Sequence, residues 1–459
     1  MSERLKIGVL YPWTGLPEMD RGSARRVVPI VSLLSAHFES VEILSPGDKG
    51  RMPESCNPQG ERASRPFRDR ASQQHQCRTR AGRPCPLEDP SNGNFRACAG
   101  DKEPVTEGNV TYTFYQAGPA ESRVSDLAFR LFEGTTYHFW RGRVPIRERR
   151  QWWHYLQPYF QPSLRSAIRH LASRVDVVLL EYPFWSAFLP RGASAKPVIL
   201  TLHDVLSGMI SQPWLRRRVR LLEIQACRRA DAVVCCTEAD ASEIRSAGFQ
   251  AACIPHGIDL TTKPQTSARI PQGPEFEQID AHRKQGRLVC FFVGSSHDPN
   301  REAVEEIGKM SDALLEEPGI LFVAAGSCCG RVSPSRNLIL LGPVAEEALN
   351  WLYSACDVVL APLRSGTGSS LKILEALARR KILVASSVGA RGYDLVPGRD
   401  AILSDDFSAY PAILLGLMND KPLRESLSRN GWEFVQAFDN RKVSMPYVEM
   451  IKNVVSRRP

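Results

Sequence analysis

A glycine-rich turn between an apolar strand and a helix, at residues 361–378, limits the possible folds of this chain more than any other segment. The apolar run 357–360 ends in a stretch of glycine and serine, and a helical pattern begins near Ser370. Glycine lets the backbone approach a ligand closely, and the free N–H groups of a helix start attract anions. The pattern predicts an anion-binding loop after a strand, with Ser369 or Ser370 capping the helix.

Two charged side chains at the start of that helix favour a nucleotide as the ligand. Lys372 lies in the first turn, where the helix dipole disfavours a cation unless an anion such as phosphate is bound. Glu375 lies three residues later on the same helix face, where a carboxylate suits ribose hydroxyls. The alternative is a capped surface helix with an ordinary Lys–Glu pair, and the loop alone does not decide between the two.

Short apolar runs alternate with helical patterns along the chain, which predicts an α/β protein with mostly parallel sheets. The 459 residues, of which 43% are hydrophobic, suffice for two domains with cores of their own. We expect an N-terminal domain over 1–260, a linker over 261–285, a C-terminal domain over 286–430 and a helix over 431–459 that packs back on the first domain. The predicted strands are 6–11, 41–44, 110–114, 175–181, 197–202, 232–236, 252–254, 288–293, 320–325, 338–341, 358–361, 382–385 and 401–403.

The segment 47–107 departs from this pattern. It is crowded with Arg, Pro, Gly, Ser and Gln and has few aliphatic residues, which predicts a disordered insertion. Its potential metal ligands are Cys56, His75, Cys77, Cys85 and Cys98. A zinc site is the alternative, but the segment has no CxxC-type pair, so we expect no metal site.

Composition limits the partners and the location of the protein. The formal charge of +9 fits anionic partners such as nucleotides, lipid headgroups or acidic glycans. The sequence has no signature of nucleic-acid binding, so no nucleic acid is expected as a partner. It has no uninterrupted apolar run of about 18 residues, so no transmembrane helix is expected. The N-terminus lacks a signal-peptide pattern, so the expected location is the cytoplasm.

The segment 139–160 is dense in aromatic residues and arginines. A basic aromatic surface of this kind can dock peripherally on the anionic inner face of a membrane. The alternative is a helix pair beside the site, with its aromatic side chains buried and its arginines solvated. We favour the helix pair, because apolar residues in the segment do not recur with the regular period of an amphipathic helix.

The block 288–394, which contains the glycine-rich turn, resembles the nucleotide-sugar site of family 4 of the retaining glycosyltransferases. The resemblance covers most of the chain outside 47–107. It implies the GT-B fold, in which two doubly wound, Rossmann-like domains face each other across a cleft. The ribose-binding glutamate of the family matches Glu375, and an earlier glutamate of the family falls at Thr367. Some members have a Gly-Thr-Gly loop and a helix lysine instead, and this chain looks like them.

The resemblance implies a donor site in the C-terminal half. The positions it assigns to donor binding are Gly294, Ser295, Gly366, Thr367, Gly368, Ser369, Ser370 and Glu375. Lys372, with Arg301 as a second cation, would neutralise the leaving diphosphate. The resemblance therefore implies no metal and no cofactor apart from the nucleotide-sugar substrate.

The N-terminal half is expected to carry the acceptor side. In the family, a turn like 201–204 lies near the reacting sugar, which implies a catalytic role for His203; from the residues alone, a structural histidine paired with Asp204 is the alternative. Glu181 ends the preceding predicted strand, so it is expected at the same edge of the sheet as His203. Its role there would be an acceptor contact or a solvated acid. Gly15 and Arg25 resemble the glycine-containing loop over the acceptor.

A further turn, 254–259, matches the end of the first domain in the family. Asparagine is more usual in the family at the position of His256.

The function implied is glycan biosynthesis by a metal-independent glycosyltransferase. A sugar would pass from a nucleotide-sugar donor to a glycan, lipid-linked or small-molecule acceptor with retention of configuration. A sugar-nucleotide epimerase is an alternative on the same fold, with Glu181 as its candidate carboxylate. A non-catalytic GT-B-like binding module is another alternative.

Overall fold

The computed structural model describes residues 4–12, 22–46, 104–115, 124–125, 127–128, 131, 155–192, 195–261 and 269–457. Segment 47–103, most of 139–160, and Gly15 therefore lie outside the described residues. The described chain forms two α/β halves, each built on one sheet.

An eight-stranded sheet forms the centre of the N-terminal half, in the order β3-β4-β2-β1-β5-β6-β7-β8. Its strands are β1 (Lys6–Leu10), β2 (Ser40–Pro46), β3 (Val105–Glu107), β4 (Val110–Tyr115), β5 (Val177–Glu181), β6 (Val198–Leu202), β7 (Ala232–Cys235) and β8 (Ala251–Cys253). The β3–β4 pair is antiparallel, and the other pairs of this sheet are parallel. Strands β5 and β6 are buried along their whole length, as expected for a parallel sheet covered on both faces.

Helices cover this sheet, and they are α1 (Gly22–His37), α2 (Pro162–Arg174), α3 (Pro213–Cys227) and α4 (Glu238–Ser246). The helix starts follow from the sequence. Proline occupies the first turn of α2 and of α3, where its missing N–H costs nothing. Thr237 caps α4, with its hydroxyl accepting from the backbone N–H of Asp240 at 3.1 Å.

A six-stranded, fully parallel sheet forms the C-terminal half, in the order β11-β10-β9-β12-β13-β14. Its strands are β9 (Leu288–Val293), β10 (Ile320–Ala325), β11 (Leu338–Leu340), β12 (Val358–Ala361), β13 (Ile382–Ala385) and β14 (Ile402–Leu403). The helices of this half are α5 (Pro274–Lys284), α6 (Asp298–Ala313), α7 (Glu346–Ala355), α8 (Leu371–Ala378), α9 (Tyr410–Asn419) and α10 (Lys421–Val435).

The chain then returns to the N-terminal half through α11 (Asn440–Val443) and α12 (Met445–Ser456). Tyr447, Val448 and Ile451 of α12 are buried in the same cluster as Ile7 and Val27. The backbone N–H of Ile258 donates to Phe438 O at 2.8 Å, and that of Asn440 donates to Ile258 O at 3.0 Å. The last helix therefore belongs to the N-terminal core.

Three segments differ from their predicted structure. The segment 431–459, predicted as one helix, contains the end of α10 and the separate helices α11 and α12. Val105–Glu107, assigned from composition to the insertion, is strand β3 and pairs with β4 through a turn at Gly108 and Asn109. Helix α5 lies within the predicted linker, because Ile279 is buried and packs with Phe276 against the C-terminal sheet. Polar and proline-rich composition hid β3 and α5.

None of the helices in the described part of the chain combines the length and the apolar character needed to cross a membrane.

Candidate functional site

Several predicted site residues lie at the carboxyl ends of strands in both sheets. Glu181 ends β5 and His203 follows β6, whereas Gly294 follows β9 and the glycine loop 362–370 follows β12. The glycine loop reaches the N-terminal half. A Cβ added to Gly368, whose φ is +64°, would collide with the carboxylate of Asp204 and the carbonyl oxygen of His203. This close approach requires glycine.

Arg391 supports the other side of the glycine loop. A Cβ on Gly366 would lie 2.6 Å from the Arg391 guanidinium. That guanidinium donates to Thr367 O at 2.6 Å and to Val388 O at 2.7 Å. The Thr367 hydroxyl is buried and has no hydrogen-bond partner among the described residues. The sequence did not single out Arg391 as a site residue.

Helix α8 starts without a side-chain cap, which is a correction to the sequence prediction. Ser370 occupies the N-cap position and makes no capping hydrogen bond. The Ser369 hydroxyl instead lies 2.6 Å from His256 Nδ1 in the N-terminal half. The first N–H groups of α8 are therefore not satisfied by either serine side chain.

Lys372, Asn300, Glu375 and Tyr353 form what we call the donor-side cluster. Lys372 Nζ donates to Asn300 Oδ1 at 2.9 Å and lies 4.4 Å from the centre of the Phe292 ring. Tyr353 OH donates to Glu375 Oε2 at 2.9 Å. Burial lowers the pKa of Lys372 to about 8. Within the described residues, Lys372 forms no ion pair with a carboxylate.

Asn300 also connects Lys372 to the end of β9, since its Nδ2 donates to Ser295 O at 3.2 Å. Gly294 is packed tightly there, because a Cβ on it would lie 2.8 Å from Asn300. The sequence reasoning did not assign Asn300, although its position after the β9 turn was a usable signal. Arg301, in the first turn of α6, pairs with Asp298 at 3.4 Å and is one-third exposed. Its contact with a diphosphate stays a prediction.

Glu181, His203, His256 and Ser369 form a second group, which we call the histidine chain. His203 Nε2 lies 2.6 Å from Glu181 Oε2, and His203 Nδ1 lies 2.9 Å from His256 Nε2. All four residues are at most 5% exposed. Glu181 is therefore not a solvated acid. Its role toward an acceptor stays a prediction.

Asp204 pairs with Arg26 instead of with the His203 ring, so the alternative of a histidine paired with Asp204 is wrong. Arg26 NH1 lies 3.0 Å from Asp204 Oδ2. Arg26 is the residue after the predicted Arg25, which lies on α1 with its side chain outside the described part. Gly15 lies outside it entirely. Arg26 and His256 are thus site neighbours that the sequence prediction did not assign.

The aromatic segment is described only at its end. Tyr155 is buried against Phe184, with ring centres 4.9 Å apart, whereas Tyr159 is exposed. The burial of Tyr155 agrees, at this residue, with the interpretation of segment 139–160 as a helix pair with buried aromatic side chains. Membrane contact by the rest of 139–160 stays a prediction.

The two facing, mainly parallel sheets, with the glycine loop between them, define a protein of the GT-B class. Residues 118–262 match the family described as Glycosyltransferase Family 4, and residues 287–420 match Glycosyl transferases group 1. The two matches, one in each half, indicate a GT-B glycosyltransferase.

Two curated proteins are similar over part of the chain. The uncharacterized 44.6 kDa protein in the cps region of Klebsiella pneumoniae is 20% identical over 183 residues, which cover 37% of this chain and 46% of that protein. The phosphatidyl-myo-inositol mannosyltransferase of Mycolicibacterium smegmatis is 23% identical over 222 residues, covering 46% and 54%. The chain thus spans about half the length of the curated relatives it matches.

Solved structures match over nearly the whole chain. Sucrose-phosphate synthase from Thermosynechococcus elongatus has a TM-score of 0.63 at 14% identity, covering 99% of this chain and 100% of that one. Trehalose-6-phosphate synthase OtsA has a TM-score of 0.62 at 15% identity, covering 97% and 99%. Anabaena HepE, solved with UDP-glucose, has a TM-score of 0.60 at 14% identity, covering 98% and 100%. These likenesses confirm the predicted fold.

Proposed function

We propose that this chain transfers a sugar from a nucleotide-sugar donor to an acceptor hydroxyl, with retention of configuration and without a metal ion. The observation that carries the proposal is the environment of Lys372. This partly buried lysine follows the glycine loop at the start of a helix, and its hydrogen-bond partner is the neutral amide of Asn300. A partly buried cation without a carboxylate partner in the described part of the chain suits an anionic ligand.

The diphosphate of the donor would bind between Lys372 and the uncapped N–H groups of α8. Helix N-termini favour anions through both the free N–H groups and the helix dipole. Glu375 lies one turn further along the helix and would accept hydrogen bonds from the ribose hydroxyls. The order of phosphate and then ribose along α8 fits a nucleoside diphosphate.

Structures of the same fold support the class of donor. HepE was solved with UDP-glucose, and the E. coli trehalose-6-phosphate protein was solved with UDP-2-fluoro glucose. Uridine nucleotide sugars are therefore the donors to test first. The similarity to a phosphatidyl-myo-inositol mannosyltransferase favours a lipid-linked acceptor.

In the proposed reaction, the bond between the anomeric carbon and the phosphate oxygen breaks as the acceptor oxygen attacks from the same face. The acceptor proton passes to the departing phosphate oxygen. Lys372 and the helix N–H groups stabilise the negative charge that builds on that diphosphate. His203 acts as a positioning residue, because both of its ring nitrogens have protein partners.

Incubation of the protein with labelled nucleotide sugars and with glycan, lipid-linked and simple sugar acceptors tests this proposal. We expect transfer to one acceptor class, or slow donor hydrolysis, with the anomeric configuration of the product matching that of the donor. Interconversion of the donor to an isomer would indicate an epimerase instead. Nucleotide binding without any turnover would indicate a binding module. The metal requirement is tested in the same assay with and without EDTA.

A further inference from the structure

The histidine chain joins the two halves of the molecule at the cleft. Ser369 belongs to the glycine loop of the C-terminal half, whereas Glu181, His203 and His256 belong to the N-terminal half. Successive partners lie 2.6, 2.9 and 2.6 Å apart, from Ser369 Oγ to Glu181 Oε2. A fully buried set of polar groups at these distances is a specific, geometrically demanding arrangement.

With both imidazole rings neutral, the direction of each hydrogen bond follows from the end at Glu181. A carboxylate only accepts, so His203 Nε2 donates, and the Nδ1 of a neutral His203 ring accepts. His256 Nε2 then donates to His203, which leaves His256 Nδ1 to accept from the Ser369 hydroxyl. Burial holds the pKa of His256 well below its usual value, with Arg26 and His203 acting in the same direction. A neutral His256 ring, with one donor and one acceptor nitrogen, meets this requirement.

The same place offers a metal site as the alternative. His203, Cys236 and His256 each present one ligand atom, and these atoms lie within 4.8 Å of one another. Such a set is typical of zinc. One observation favours the hydrogen-bonded chain: both nitrogens of each ring already have a protein partner.

We infer that His256 is a positioning residue that couples the glycine loop to the His203–Glu181 pair. Glu181 fixes the His203 tautomer, so His256 presents its N–H to His203 and needs a donor at Nδ1, which Ser369 supplies. When the loop moves away, His256 Nδ1 is left buried without its donor, and the position of the His256 ring against His203 is no longer held. The state of the donor loop is thereby transmitted to a residue of the other half.

This inference deepens the proposed function and rests on it, since the glycine loop is the proposed diphosphate site. The imidazole ring reaches Ser369 with Nδ1 and His203 with Nε2. The shorter side chain of asparagine, which is more usual in the resembled family, can place an amide atom near the position of Nδ1 but none at the position of Nε2, so it would not bridge the two partners.

Variants of both partners, Ser369→Ala and His256→Asn, test the coupling in the full-length protein. We expect each to lower kcat by about tenfold to a hundredfold, the range for a misplaced catalytic geometry. The Kd for UDP should stay within about threefold of its value in the unaltered protein. The double variant should be little worse than either single variant, because both remove the same connection. Effects on kcat that multiply would overturn the inference.

Ser311→Ala is the matched control. Ser311 is fully buried in the C-terminal half, and its hydroxyl donates to Asn337 Oδ1 at 2.6 Å, the distance found between Ser369 and His256. Its removal should cost a similar loss of melting temperature with no change in kcat. A loss of kcat in Ser311→Ala equal to that in Ser369→Ala would show that stability alone is responsible.

A second test needs no turnover. The protein has nine histidines, and NMR of their ring nitrogens can be recorded on protein labelled with ¹⁵N-histidine. We expect His256 as the neutral Nε2–H tautomer, with the His256 and His203 signals both shifted in Ser369→Ala and neither shifted in Ser311→Ala. Unshifted His203 signals in Ser369→Ala would overturn the coupling. Stoichiometric zinc that is lost in Cys236→Ala would also overturn it. If the protein turns over no donor, only the proposed function is refuted. The NMR result still shows whether the glycine loop and His203 are coupled.

Discussion

The donor-side cluster and the histidine chain occupy the same cleft, but they use their polar groups differently. In the donor-side cluster, Lys372 and Glu375 are only partly buried, and each has an uncharged protein partner, Asn300 and Tyr353 respectively. In the histidine chain, every ring nitrogen has a partner at 2.6–2.9 Å and the residues are buried.

The difference separates binding from positioning. Lys372 forms no ion pair with a carboxylate in the described part of the chain and can gain a negatively charged partner from a ligand, so this cluster is suited to an anion. A buried polar chain that is already satisfied gains nothing from a new partner, but it holds one geometry against alternatives. Variants in the first group should therefore change donor affinity, and variants in the second should change turnover.

The largest expected effect is on turnover in His203→Gln. Glutamine keeps an N–H donor for Glu181, so the variant should fold, but it removes the ring that links Glu181 to His256. We expect turnover to fall by roughly 100-fold, within the range for a positioned polar group at a reacting centre. UDP affinity should change little, and turnover and thermal unfolding are measured on one preparation.

His203→Ala provides the comparison, because among the described residues it leaves the buried Glu181 carboxylate with a single, long side-chain contact, 3.4 Å from the Thr201 hydroxyl. Uncompensated burial of that charge should lower the free energy of unfolding by about 3–5 kcal/mol. A His203→Gln protein that is destabilised but fully active would contradict any role in the reaction.

Glu375→Ala should show the opposite behaviour. If Glu375 binds the ribose hydroxyls, its loss should weaken UDP binding by about 1–3 kcal/mol, measured by calorimetry. Turnover at saturating donor should change less than in His203→Gln. Tyr353→Phe is the control, because it removes the hydrogen bond to Glu375 and keeps the carboxylate. Equal losses of affinity in both variants would mean that Glu375 acts through packing with Tyr353 and not through the ribose.

A smaller effect is expected when the dependence of UDP affinity on pH is measured. Burial lowers the pKa of Lys372 to about 8, with Arg391 acting in the same direction and Cys328 and Glu375 opposing it. Lys372 is charged below that pH and loses its proton as the pH rises through it. UDP affinity should therefore be highest below pH 8 and fall by up to about tenfold per pH unit above it. A bound diphosphate should raise this pKa, so binding near pH 8 should take up protons.

Calorimetry in buffers of different ionisation enthalpy measures that proton uptake. Lys372→Met should bind UDP more weakly and should lose this part of the pH dependence. A pH profile that is identical in Lys372→Met and in the unaltered protein would assign the titration to another group.

The smallest effect is expected from shortening the predicted insertion, which lies outside the donor-side cluster and the histidine chain. Replacing residues 50–103 with a short Gly/Ser linker should leave folding and activity nearly unchanged, because the composition offers no core and loop-closure entropy grows only with the logarithm of length. The replacement stops before Val105 in order to keep strand β3. Aggregation of the shortened protein, or stoichiometric zinc that disappears with the segment, would refute this expectation.

The sequence predicted features that depend on local patterns. Apolar runs predicted the two sheets, and the glycine and serine run predicted the loop before α8. The histidine chain could not be predicted in this way, because its partners are 22, 53 and 113 residues apart. Only the tertiary fold brings them together. Strand β3 was missed because it is only three residues long and follows the polar insertion. Helix α5 was missed because its polar surroundings outweighed a few apolar residues that pack inward, such as Ile279.

The return of α12 to the N-terminal core has a consequence for synthesis of the protein on the ribosome. Ile7 and Val27 emerge early, but Tyr447 and Ile451, which cover them, emerge only after the whole C-terminal half. At about 5–20 residues per second, an apolar patch of the nascent chain stays uncovered for tens of seconds. The C-terminal half can complete its own sheet during that wait. The half that is translated first is therefore the half that finishes folding last.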